Sequence, residues 1–162
     1  MTTGRRTSKA RFVDGPASAS IADLVRRSDH RTLAVWAADC AECVLPLFQQ
    51  RCPSDDRPRK AIEAARDWAR TGVFGMSDVR GTSLASHAAA REAEDEAARF
   101  AARAAGHAIA TAHVPTHSIA AASYAAKAVW ASDPERGEEG VAEEREWQHR
   151  RLVELCDHAE RV

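Results

Sequence analysis

Asp56-Arg57-Pro58-Arg59-Lys60-Ala61-Ile62-Glu63-Ala64-Ala65-Arg66-Asp67-Trp68-Ala69-Arg70-Thr71-Gly72 contains one helix together with both of its boundaries. Asp56 stands where a side chain can cap the free amides of a first turn. Pro58 suits the opening turn, because its missing N–H would have no partner there, and Gly72 suits the left-handed residue that ends a helix. Between them Ala61, Ile62, Ala65, Trp68 and Ala69 recur at three- and four-residue steps, so one face is apolar. The same grammar recurs along the chain, and alternating β-branched runs bounded by turns are absent. The sequence therefore predicts an all-α fold, an irregular bundle of six to seven short, alanine-rich helices.

Working outward, Asp29 can cap a longer helix running to about Gln50, with Leu33, Trp36, Cys40, Cys43 and Leu47 as its apolar seam and Pro46 straining its end. A short helix over Ile21–Ser28 precedes it. Downstream, Ser77 and Asp78 open a fourth helix to about Glu94, and a fifth runs through Ala112 until Pro115 interrupts it. Thr116 is placed to cap a sixth helix, which ends near Ser132. The Asp133-Pro134 turn and an acidic loop to Gly140 then lead to a last helix from Val141 to about Glu160. Residues 1–18, rich in Ser, Thr, Arg and Gly, are expected as a flexible basic arm on a single helical domain of residues 19–162. Alanine at so many inward positions lets helix axes approach closely, so the large residues Trp36, Trp68, Phe100, Trp130 and Trp147 are the expected core anchors.

Composition narrows the function. The chain has 162 residues and a formal net charge of -1, with no sequence-wide positive field to hold nucleic acid or anionic lipid. No apolar run approaches the roughly 20 residues of a spanning helix, and the N-terminus lacks a secretory stretch, so no membrane is involved and the expected location is cytoplasmic. Cys40, Cys43, Cys52 and Cys156 are too few and too irregular for a disulfide framework. Cys40-x-x-Cys43 could be a redox dithiol or half a zinc site, but both thiols fall on the apolar seam and no second pair follows, so core packing is the expected role. No Gly-rich phosphate loop, nucleophile elbow or paired acidic metal motif is present, and neither a metal nor a cofactor is called for.

Two groups of polar residues stand out. Arg59, Glu63, Arg66 and Arg70 recur along one stripe, which reads either as a solvated face laced with weak ion pairs or as an interhelical one. In the second case Arg57 and Arg66 would hold a carboxylate such as Asp39 or Glu42. His87, His107, His113 and His117 crowd into the middle third, with Tyr124 and Lys127 beyond and Arg91 four residues after His87. Imidazole suits metal binding and general-base work, but no His-Glu-x-x-His spacing fixes a metal. Each histidine taken alone reads as an interhelical or core residue.

The blocks Leu33-Ala-Val-Trp-Ala-Ala-Asp-Cys-Ala-Glu, Arg57 to Arg70, Ser86-His-Ala-Ala-Ala-Arg and Ala105-Gly-His-Ala-Ile-Ala-Thr-Ala-His-Val-Pro-Thr-His together resemble a bacterial family called putative immunity proteins, assigned to polymorphic toxin systems. The resemblance runs from about Leu33 to Trp130. Trp36, Asp39, Cys40, Arg57, Pro58, Arg59, Glu63, Arg66, Trp68, His87, Arg91, His107, His113 and His117 fit its pattern, and Cys43 departs from it, standing where a basic residue is more usual. The resemblance implies a small helical cytoplasmic protein that binds a cognate toxin stoichiometrically and blocks it without chemistry. The alternative is a small-molecule pocket or enzyme in which Asp39, Arg57, Glu63, Arg66, His107, His113, His117, Tyr124 and Lys127 converge between thin helices.

Small neighbours at Ala64, Ala65, Gly106 and Ala108 allow a second helix to close over Arg66 and His107. Arg66→Ala and His107→Ala are therefore expected to cost several kcal/mol in urea unfolding, against less than about 0.5 kcal/mol for Arg99→Ala as an exposed control.

Overall fold

The computed structural model describes residues 11–161, and among them there are seven α-helices and no strand. They are α1 (Ser18–Arg27), α2 (His30–Gln49), α3 (Arg57–Thr71), α4 (Met76–Glu92), α5 (Glu96–Ala110), α6 (His117–Ser132) and α7 (Gly137–Ala159). The fold is all-α, as the periodicity predicts. α5 lies at the centre, against α2, α3, α4 and α6, while α7 closes over α2 and α6 and carries α1 on its outer side.

The helix ends obey local chemistry, though not always through the expected residue. Asp29 caps α2, its Oδ1 accepting from the Thr32 amide at 3.0 Å. Gly72 ends α3 at φ 69°, where any side chain would be strained and would also strike the Arg31 guanidinium. Asp56, by contrast, does not cap α3: its carboxylate pairs with Lys60 at 2.9 Å, and Asp55 instead accepts from the Arg57 amide at 3.1 Å. Thr116 makes no side-chain cap either. The chain between α5 and α6 keeps coiling in tight turns, with Val114 N–H donating to Ala110 and His117 N–H to Val114, so few amides are left to cap. Asp95, not anticipated, caps α5 through the Ala98 amide at 2.9 Å.

Residues 137–140, expected as loop, form the first turn of α7. Glu138 and Glu139 meet the positive end of its dipole, and Gly140 is buried against α6, where a Cβ would lie in ordinary contact with Val129 at 3.6 Å. Part of the segment expected as an arm makes contacts with the bundle. Residues 1–10 lie outside the described residues, but Phe12 meets Trp130 edge to face at 6.1 Å, and Asp14 receives Arg145 Nε at 2.7 Å. Burying that guanidinium to 3% exposure requires its charge to be answered, so the strand of chain before α1 is tied to α7.

The core is made largely of alanine: Ala97, Ala98, Ala101, Ala102, Ala104, Ala105 and Ala108 of α5 are all buried, as are Ala121, Ala122, Ala125, Ala126 and Ala128 of α6. Of the five expected anchors only Trp36 is fully buried, donating its indole N–H to the Gln148 carbonyl at 2.8 Å. Trp68, Phe100, Trp130 and Trp147 cover the margins, and Phe48 takes the buried place that sequence assigned to them. The seam of α2 likewise departs from its expected course. Cys40 is buried and Cys43 exposed, because below Cys40 the buried positions step through Ala41, Val44, Leu45 and Phe48. Only Cys40 is a core residue.

Alanine at the contact face of α5 sets the spacing of its four neighbours, so a larger side chain there has no room. Ala105→Leu is expected to lower urea-unfolding stability by about 1–3 kcal/mol through overpacking, and an unchanged midpoint would contradict the close approach.

Candidate functional site

The candidate polar residues do not form one cluster. They fall into two assemblies on different faces, with outlying members.

The first spans α2, α3 and α7. Asp39, whose side chain is only 11% exposed, receives Arg66 Nη1 at 2.8 Å and Arg151 Nε at 2.8 Å. Arg66 also bonds Glu42, and Arg59 stands 3.9 Å from Glu42. Asp39 thus joins three helices through two guanidinium groups, and the hydrogen bond to Asp39 raises the pKa of Arg151. Arg66 reaches between helices, the second of the two readings of its stripe. Arg57 stands apart, clamped between Asp55 at 2.7 Å and Glu92 at 2.5 Å, and so pins the start of α3 to the end of α4. Glu63 is exposed and takes no part.

The second assembly crosses α4, α5 and α6. His107 Nδ1 lies 3.1 Å from His117 Nδ1, a geometry in which one ring donates and the other accepts. His87 packs edge-on to His107 with centroids 4.9 Å apart, and Tyr124 stacks on the other side of His107 at 5.3 Å with rings 9° from parallel. The Lys127 ammonium sits 5.0 Å above the Tyr124 ring. Gly106 makes the cluster possible, since a Cβ there would fall 2.8 Å from His87 Cε1. His113 is exposed and lies over Phe74 at 6.0 Å, and Arg91 is exposed at the end of α4.

His87, His107 and His117 are held toward their neutral forms. Burial lowers the pKa of His87, aided by the charges of Arg103 and Arg91. Burial, with His87, His117 and Arg103, lowers His107 to about 4. Burial and His113 lower His117. Neutral imidazoles accept and donate hydrogen bonds at pH 7. Among the described residues no three His, Cys, Asp or Glu side chains are grouped as metal ligands. Beside the cluster, Met76, Val79, Leu84, Arg80, His113 and His117 surround a groove of about 140 Å³.

Several polar residues of the structure were missed in sequence. Arg151 completes the Asp39 assembly. Arg145 also reaches Ser123 at 3.1 Å and Gln148 at 2.9 Å, while Gln148 donates to the Ala122 carbonyl at 3.0 Å and to Glu144 at 2.8 Å. Burial pushes the Glu144 carboxyl up. α7 is charged around much of its circumference, so its pattern gives no sign of which charges turn inward. Arg99 is also not a free control: its guanidinium donates to the Ala93 and Glu94 carbonyls at 3.1 and 3.4 Å, and the exposed Arg70 serves better.

The described residues form an all-α bundle with two separate polar assemblies, one of paired charges and one rich in neutral histidine. Residues 23–155 match the family described as Imm-5 like putative immunity protein, and the chain belongs to that family. The match is wider than the stretch from Leu33 to Trp130 that carries the resemblance, taking in the second half of α1 and most of α7. No curated protein and no solved structure matches the chain.

A histidine whose folded pKa lies below its unfolded value favours the fold fully above about pH 6.5, and that contribution is lost as pH falls toward 4. Between pH 7 and 4.5 the wild type should lose stability on the order of 2 kcal/mol more than His107→Gln, allowing for partial exposure. Glu144 works in the opposite direction but is common to both proteins, so urea unfolding of the pair isolates the histidine. Parallel pH profiles would remove the neutral cluster.

Proposed function

We propose that this chain is an immunity protein that binds a cognate toxin of a bacterial polymorphic toxin system and neutralises it stoichiometrically in the cytoplasm, without chemistry of its own. The observation that carries this reading is the family match over residues 23–155. The surface supports it: an inhibitor that works by occlusion needs a rigid frame with charged and apolar groups facing solvent, and the alanine core supplies the frame. No helix among the described residues is long and apolar enough to cross a membrane.

The second reading, a small-molecule site or enzyme, draws on the histidine cluster and its groove. At about 140 Å³ the groove falls below the roughly 300–1,000 Å³ of ordinary ligand pockets, and Asp39 and Arg66 of that reading lie in the separate α2–α3–α7 assembly.

The proposal predicts a toxin gene beside this one; co-expression with its toxin domain is expected to restore growth that the toxin alone abolishes, and the purified proteins should elute together as a 1:1 complex. Growth arrest despite ample immunity protein, with no complex on size exclusion, would overturn the proposal.

A further inference from the structure

Among the described residues, four of the five large apolar side chains that stand exposed are confined to one short stretch, Val73, Phe74, Met76 and Leu84, with Val73 77% and Leu84 58% accessible. Such clustering on a small soluble protein marks a contact surface more often than chance exposure. The stretch borders the groove between α4 and the end of α5 described above. A cavity of about 140 Å³ is close to the volume of one large side chain.

Beyond Asp78 in the first turn of α4, the charges around it are positive. No Asp or Glu occurs from residue 79 to 91 or from residue 97 to 132, so the facing parts of α4 and α5, the α5–α6 turn and the whole of α6 carry cations without a counter-ion of their own. Arg80 lines the groove with His113 and His117. Arg91 and Arg103 lie close enough to the histidines to act on His87, and Lys127 rests on the Tyr124 ring. On the α2–α3–α7 face, by contrast, Arg59, Arg66 and Arg151 are each matched to a carboxylate. Unmatched cations around an apolar socket are complementary to carboxylates around an apolar knob, the arrangement that gives fast, salt-sensitive association with a desolvated anchor at its centre.

We infer that the α4–α5–α6 face docks an acidic protein surface that inserts one aromatic or aliphatic side chain into the groove beside Arg80 and Leu84. This rests on the toxin-binding reading and names the face and the partner's chemistry.

Two probes test it. The first is the catalytically inactivated form of the toxin domain that the proposed function predicts beside this gene, titrated against wild type, Arg80→Glu, Leu84→Asp and the control Arg70→Glu. Arg80, Leu84 and Arg70 are exposed, so the variants should keep the fold, which circular dichroism and the melting temperature verify. Arg80→Glu and Leu84→Asp should each weaken binding at least about tenfold, Arg70→Glu should not, and wild-type affinity should fall steeply with added salt. Equal affinity for all four would discard the face while leaving toxin binding intact. Absence of wild-type binding would discard the toxin reading, and the second probe then decides the face alone. That probe is the peptide acetyl-DEDFDED-amide, whose addition should move backbone amide NMR signals in α4 and in residues 110–117. The response should vanish in Arg80→Glu and shrink when the peptide's phenylalanine is replaced by alanine. Signals moved elsewhere, or not at all, would overturn the docking face.

Discussion

The close approach of helices around α5 governs the rest of this structure. Seven of its fifteen residues are buried alanines, so α2, α3, α4 and α6 come in against a thin central rod, and a few methyl groups fill what larger side chains fill in most bundles. Each alanine buries little area, and the frame depends on packing without voids more than on a large transfer term. The same closeness decides where polar groups can sit. His87 fits on α4 only because Gly106 of α5 has no side chain, and His107 of α5 meets His117 and Tyr124 because α6 lies so near.

Thin helices also bring long polar side chains from neighbouring elements within reach of one another, and the chain uses this in two ways. Asp39 takes two arginines from different helices, and an inward carboxylate with two such partners has its charge answered and fixes the relative placement of α2, α3 and α7. The buried Arg145 does similar work, with Asp14, Ser123 and Gln148 around it, and sets the Gln148 backbone where the Trp36 indole can use it. The looser pairs on exposed helix faces, such as Arg70 with Asp67, contribute far less, since water screens them and both side chains lose freedom.

What the sequence revealed was whatever the backbone decides locally. Asp29 as a cap, Pro58 in a first turn and Gly72 at a left-handed end are each set by a residue's own chemistry and needed no knowledge of the fold. Cys43 and Gly140 were misread because which side of a helix is covered depends on neighbours: Cys40 and Cys43 are three residues apart, some sixty degrees around the helix, enough to leave the covered arc. The candidate site failed in the same manner. Residue types and many of their positions could be picked out, yet their division into an Asp39 assembly and a histidine assembly follows from the pairing order of seven helices, which periodicity does not contain. Arg151 escaped notice because α7 shows charge on so many sides.

The two polar faces also differ in what their charges do to the folded chain. On the paired face each cation meets an anion, and the arrangement is at worst neutral. On α5, Arg99, Arg103 and His107 follow one another at four-residue steps along one side, and like charges at that spacing work against the helix by a few tenths of a kcal/mol. The penalty is contained because the neighbouring imidazoles stay neutral, His107 most of all, so charge does not accumulate at pH 7. Asp95 and Glu96 stand one turn before Arg99, but no carboxylate follows them on α5 or occurs on α6, and an anionic surface laid across α5 and α6 would bring counter-charge to the cations beyond that first turn. Stability and association are then linked, because a partner that binds only the folded chain stabilises it by an amount set by its own affinity.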